Sequence, residues 1–281
     1  MTWDRLRTWL LGGWAGLALA YLFIPIVIVV LFSFNDNKGR FNFTWQGFTF
    51  KHWAHPFADP DLALALKNSL AIAAISTVVA TALGTFMALA LVRYGFRGRG
   101  AADLFVFLPL ATPEVVLGAA LLALFLTMNV STGFVTIVIA HVMFNISYVV
   151  VTVKARLEGM DPHVEEAAQD LGAGVWSTFA RVTLPMIAPG VAAAALLAAA
   201  LSVDDYVITS FNAGQTITFP LFIYGATRQG VPPEVNVLAS GLLFVVLILM
   251  GLNVLLQRHR ARRDHDAVEG LPIAVGAPAN G

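Results

Sequence analysis

Glu166-Ala167-Ala168-Gln169-Asp170-Leu171-Gly172, followed after nine intervening residues by Val182-Thr183-Leu184-Pro185, lies within a polar segment, Lys154 to Pro185, enclosed by two strongly apolar ones. Asp161-Pro162 just ahead is a helix-start signal, because Asp caps free N–H groups and Pro suits the first helical position. Glu165 and Glu166 fall in the first turns, where the helix dipole favours negative charge. Ala167 and Ala168 keep the surface low, so a groove wall or another backbone can come close. Gly172 stands where a helix stops, since Gly accepts the left-handed conformation of a C-terminal cap. Pro185 and Pro189 mark the entry into the next apolar run. The spacing predicts a short, smooth helix from about Pro162 to Leu171, held at a membrane surface.

Outward from this segment the chain is built for lipid. Apolar residues make up 58% of its 281 positions and charged ones 12%, and the mean hydropathy is +0.77. A helix needs roughly 20 apolar residues to cross the hydrocarbon core. Six segments qualify: Leu10–Phe34, Leu66–Val92, Ala101–Met128, Phe134–Val153, Met186–Phe211 and Val235–Gln257. The first follows Arg5 and Arg7 and contains Ala18-Leu19-Ala20, features of a cleaved signal peptide. Its charge-free length up to Asp36 favours an uncleaved span, with Pro25 as a kink.

The expected fold is therefore an all-α polytopic membrane protein of six spans, with a cytoplasmic helix between the fourth and fifth. Residues 1–9 form a cytoplasmic N-terminus, 10–257 the membrane domain with its loop at 154–185, and 258–281 a tail. That tail turns from basic to Gly/Ala/Pro-rich and is expected to be disordered. With the N-terminus inside, Arg93, Arg97, Arg99, Lys154, Arg156, Arg181 and the basic run from Arg258 all lie inside. Only Lys38, Arg40, Lys51, Lys67 and Arg228 lie outside. Excess Lys and Arg on the inner side sets orientation, so both termini are expected in the cytoplasm.

Chemistry of the chain's own is hard to find. There are no cysteines, which removes disulfides and thiolate sites. No phosphate-binding Gly-x-x-x-x-Gly-Lys-Ser/Thr loop, Gly-x-Ser-x-Gly elbow or His-Glu-x-x-His pair occurs. No catalytic residue, metal or cofactor is expected, and no basic aromatic patch suggests nucleic acid. His52 and His55 could share a metal, but Trp53, Pro56 and Phe57 beside them favour a packed surface loop.

The pattern Glu-Ala-Ala, three residues, Gly, nine residues, Val182, one residue, Leu184-Pro185 resembles the cytoplasmic EAA loop of ABC importer permeases. Val182 stands where that family usually has Ile. Trp45-Gln46-Gly47-Phe48, Asp59-Pro60 and Leu66-Lys67-Asn68-Ser69-Leu70 extend the likeness along the chain. So do Leu201 to Val207 and Pro232-Pro233-Glu234-Val235-Asn236, which are most similar to the second permease of spermidine/putrescine importers. The resemblance implies one permease subunit of a binding-protein-dependent importer in a bacterial inner membrane, carrying a polyamine or related solute by alternating access. It also implies partners: a dimer of cytoplasmic ABC ATPases that binds the ATP, a second homologous permease, a periplasmic or extracellular solute-binding protein, and lipid. Glu166, Ala167, Ala168, Gly172, Leu184 and Pro185 would then couple this chain to the ATPase. A proton-coupled carrier of a cation is the alternative, since Glu114, His141 and Asp204 could relay protons.

Ionisable groups in a membrane face a cavity or a partner. Asp204 and Asp205 lie roughly 26 Å along the fifth span, near its outer end. They would attract a protonated amine, or else cap helix ends or pair with Arg228 or Lys67. Glu114, beside Pro113, is either a second pathway acid or a structural answer to a helix broken by Pro109 and Pro113. His141 and Asn145 are one turn apart on the fourth span and share a face; hydrogen bonding between helices is preferred to solute contact. Tyr148, Tyr206 and Trp176 are read as packing or interface anchors.

Overall fold

The computed structural model describes residues 3–39, 41–248 and 251. Twelve helices are named here: α1 (Trp3–Phe32), α2 (Lys51–Ala54), α3 (Pro60–Arg93), α4 (Arg99–Ala111), α5 (Glu114–Thr127), α6 (Phe134–Glu158), α7 (His163–Asp170), α8 (Val175–Thr178), α9 (Leu184–Asp204), α10 (Val207–Asn212), α11 (Phe219–Gln229) and α12 (Pro233–Ile248). A π-helical turn, Phe179–Thr183, joins α8 to α9. Among the described residues the only β pairing is an isolated bridge between Asn35 and Phe48. Among the same described residues four helical stretches are long and apolar enough to cross a membrane, and a fifth if the bent pair α4–α5 counts as one crossing.

The chain divides into two units, one from Asp59 to Gln229 and one from the segments up to Ala58 and from Gly230 onward. In the larger unit, α3 starts on a strong signal. Asp59 Oδ1 accepts the N–H groups of Asp61 at 2.9 Å and Leu62 at 3.2 Å, with Pro60 in the first turn. Its buried positions run Leu62, Ala65, Leu66, Ser69, Ile72, Ala73, Ser76, Ala80, Gly84, Thr85, Ala88 and Leu91. That spacing of three and four is one helical stripe. Lipid tails are as apolar as a core, so helices in a bilayer hold together by close packing, which small residues permit. Accordingly α3 meets α6 at Gly84, where a Cβ would lie 2.7 Å from Val149 Cγ1. One block at the Arg93 end gathers Ala88 and Leu91 of α3, Val106 of α4, Val149, Val153 and Leu157 of α6, and Ile187, Ala194 and Ala198 of α9. The outward surfaces stay apolar: Phe105 is 71% exposed and Leu196 69%.

Two sequence expectations need correction. Ala101–Met128 is two helices bent by 109°, broken at Thr112-Pro113, while α4 runs on through Pro109. The fifth span does not continue to Phe211: α9 ends at Asp204, and the short α10 starts afresh at Val207. Pro25 lies inside α1. Of the sixth span, only Pro233–Ile248 is described as a helix, and the predicted tail at 258–281 lies outside the described residues.

In the smaller unit, buried Asn35 organises the loop after α1. Its Nδ2 donates to Asn42 Oδ1 at 2.6 Å and to the Thr44 carbonyl at 2.8 Å, while its Oδ1 accepts the Gln46 N–H at 2.7 Å. Phe34 stacks on Phe48 and Trp53. His52 is paired with Glu234, Nδ1 to Oε1 at 3.0 Å.

Candidate coupling helix and polar pathway

Helix α7 forms where the spacing placed it. Asp161 Oδ1 accepts the His163 N–H at 3.0 Å and lies 2.6 Å from His163 Nδ1. The backbone hydrogen bond from His163 holds the Asp161 carboxyl below its ordinary range, and the Asp161 carboxylate in turn raises the His163 imidazole. Both side chains are well exposed, so this pair shapes the helix start without adding much stability. At the other end Gly172 has φ +87°. Its N–H bonds the Gln169 carbonyl at 2.8 Å and the Ala173 N–H bonds that of Ala168 at 3.0 Å. These two bonds are a Schellman cap, which needs the left-handed residue.

The helix buries none of its residues. Glu166, Ala167 and Leu171 are exposed, as are Leu184 and Pro185 at the start of α9, and Ala168 is half-buried. Leu171, at 89% exposure, and Trp176, at 71%, leave two large apolar side chains open beside it. Trp176 also packs on Phe179, ring centroids 5.3 Å apart. A groove of about 680 Å³ runs between the end of α3 and this segment, lined by Phe86, Arg93, Tyr94, Glu165, Gln169 and Trp176 among others.

Glu165 was read only as a dipole partner, yet it is the side chain that ties the helix down. Its Oε2 lies 2.8 Å from Arg93 Nε and its Oε1 accepts from Thr183 Oγ1 at 2.7 Å. The only trace of this in the sequence is a second glutamate beside Glu166. Lys154–Asp103, at 2.7 Å, and Arg156, which donates to the Met186 carbonyl at 3.2 Å, brace the same end.

At the opposite end of the unit a polar chain crosses the bundle. Buried Ser76 of α3 lies 3.1 Å from Ser202 of α9, and Ser202 Oγ lies 2.6 Å from His141 Nδ1. His141 Nε2 faces Thr209 Oγ1 at 2.9 Å and Asp205 Oδ2 at 3.2 Å. Asp205 also accepts the N–H of Thr209 at 2.7 Å and of Ile208 at 3.3 Å. It thus caps α10, which is what the break after Asp204 requires. Its partner is His141, not the expected Arg228 or Lys67. Arg228 instead donates to the Tyr224 hydroxyl at 2.9 Å, and Lys67 is exposed.

Asp204, one residue away, is exposed. Asn145 is fully buried on the His141 face, with neither amide atom hydrogen-bonded. Glu114 is exposed in the first turn of α5, where the helix dipole favours it. The structure therefore brings together His141 and Asp205, and leaves Asp204 and Glu114 outside that cluster. Ser76, Ser202 and Thr209 escaped sequence reading, because a lone hydroxyl in an apolar helix carries no pattern.

An all-helical apolar bundle that presents a capped surface helix between two spans defines a class. Residues 80–263 match the family described as binding-protein-dependent transport system inner membrane component, and the chain belongs to that family. The spermidine/putrescine transport system permease protein PotC of Escherichia coli (strain K12) is 38% identical over 252 residues, 89% of this chain and 95% of the relative. The putrescine transport system permease protein PotI of the same strain is 38% identical over 241 residues, 83% and 85% of the two chains. A chain of the bacterial alginate ABC transporter, solved in complex with its alginate pentasaccharide-bound periplasmic protein, superposes with a TM-score of 0.64 at 20% identity. That match covers 92% of this chain and 96% of the other, and at such identity it is a likeness of fold.

Proposed function

We propose that this chain is one permease subunit of an ATP-driven importer for a polyamine or a closely related organic cation. The observation that carries this reading is the 38% identity spanning 95% of a spermidine/putrescine permease. The chain has no phosphate-binding loop, so ATP is bound and hydrolysed by a separate cytoplasmic ATPase pair. A second, related permease completes the passage, because one subunit cannot enclose a polar route alone. A solute-binding protein delivers the cargo from outside, and both termini lie in the cytoplasm.

In this mechanism Glu166, Ala167, Ala168 and Leu171 meet a groove on one ATPase, with Gly172, Leu184 and Pro185 shaping the exit from the helix. Closure of the ATPase pair displaces α7 and opens the passage outward; hydrolysis and release reset it. The two states must contact the partner differently, or no displacement would follow. Asp204 offers an exposed carboxylate to a protonated amine. His141 and Asp205 hold the end of α9 in place, Asn145 serves packing between helices, and Glu114 starts α5.

The test is joint purification. Expressed with its neighbouring transport subunits, the chain should bring down an ATPase, and Glu166→Lys should cut polyamine uptake at least roughly tenfold, as loss of a coupling contact does, while leaving membrane insertion intact. An assembly that never holds an ATPase, or a Glu166→Lys variant with normal uptake, defeats the reading.

A further inference from the structure

Helix α7 has a mechanical problem that its sequence does not reveal. It buries no residue; on one side it follows Gly159 and the buried Met160, and on the other it is joined to the bundle through Gly172 and Gly174. Glycine links are the most pliable that a chain can use. A push on a helix held by one buried Met side chain and such links would be spent in part in bending them.

The link that stiffens it is Glu165. Its carboxylate lies 2.8 Å from Nε of Arg93, the last residue of α3, and accepts from Thr183, the buried last residue of the π-helical turn, at 2.7 Å. The two charged side chains are only 20% and 14% exposed, so water screens the pair weakly. Arg93 is moreover placed where a helix C-terminus favours positive charge. Glu166, the next residue, diverges by about 100° on the helix and is exposed.

We propose that Glu165 is a positioning residue that clamps the coupling helix to α3 and to the start of α9, so that displacement of α7 moves the packed block of α3, α6 and α9 together. Adjacent glutamates then divide the work: Glu166 faces outward to the partner and Glu165 inward to the bundle. This rests on the reading of the chain as an ATP-driven permease.

The experiment uses the full complex of both permeases, ATPase and binding protein in liposomes, with spermidine as the probe. Uptake and ATP hydrolysis are measured together, and the ATPase retained on purification is quantified. Glu165→Gln and Arg93→Gln should each retain the ATPase and its hydrolysis while spermidine moved per ATP falls roughly tenfold, the size of a typical coupling loss. The charge exchange Arg93→Glu with Glu165→Arg should restore most of that ratio. An unchanged ratio in both single variants overturns the clamp. Loss of the ATPase from the Glu165→Gln complex also overturns it, by assigning that residue to the partner contact. Failure of the exchange to restore a lost ratio refutes the pairing. An unaltered complex without ATP-dependent uptake would instead remove the permease reading beneath it.

Discussion

Two neighbouring carboxylates at the end of α9 are put to different use by the fold. Asp205 has a buried carboxylate that holds two N–H groups of α10, the Thr209 hydroxyl and His141. Asp204 is exposed. Asp205→Asn leaves some of those donors unpaired inside the bundle, a loss of about 1–3 kcal/mol, and should lower the melting temperature of the purified complex. Asp204→Asn should leave melting unchanged, within about 0.5 kcal/mol as for ordinary surface changes, yet raise KM for spermidine. Equal melting of the two variants, or an unaltered KM for the second, would undo this division. Spacing along the chain weighted both acids alike, because adjacent residues differ only once the backbone turns at Asp205, and nothing in the composition announces that turn. The capping role of Asp161 and the left-handed Gly172 were legible, since each depends on residues one to three positions away. Glu165 was not, because its partners come from α3 and the π-helical turn.

Among the elements, the long apolar helices were readable and their interruptions only in part: a break at Pro113 was expected, the one after Asp204 was not. A window of apolar residues passes over a break of one or two positions, so Ala101–Met128 read as one crossing although it bends by 109°. Proline alone does not decide the matter, since α4 continues through Pro109 and ends before Pro113. Helix crossings are set by small residues whose partners lie far away in sequence. At Gly84 an added Cβ would meet Val149 Cγ1 at 2.7 Å and the Ile146 carbonyl oxygen at 3.3 Å. Val is stiff at χ1 and the backbone cannot step aside, so Gly84→Ala should destabilise the subunit by about 1–3 kcal/mol. At Gly118 the backbone Cα of Ile208 also lies at 3.3 Å, but the nearest obstacle is the Phe211 ring at 2.8 Å, which can turn where the Val149 branch point cannot. Gly118→Ala should therefore cost less. Thermal unfolding of the two variants checks the order, and a smaller loss at Gly84 would contradict the crossing described.

For the whole molecule, the family and the helical class were legible in one loop and the hydropathy, because both are local or averaged properties. Orientation rests on the uneven distribution of Lys and Arg, and a chain without cysteines allows a clean check. In right-side-out vesicles, a membrane-impermeant maleimide should label Gln215→Cys directly and Ala168→Cys only after lysis. Labelling of Ala168→Cys from outside would invert the topology and with it the place of the ATPase. One detail of the backbone bears on all of this. The π-helical turn Phe179–Thr183 contains one residue more than an α-turn over the same path would use. Excising Ala180 would let the helix run on as α over that same path, with the segment upstream keeping nearly its present azimuth about the α9 axis. Helix α7 would keep both its side chains and its facing, so the widened turn works as slack: it takes up a surplus residue that would otherwise swing everything before it roughly 100° aside.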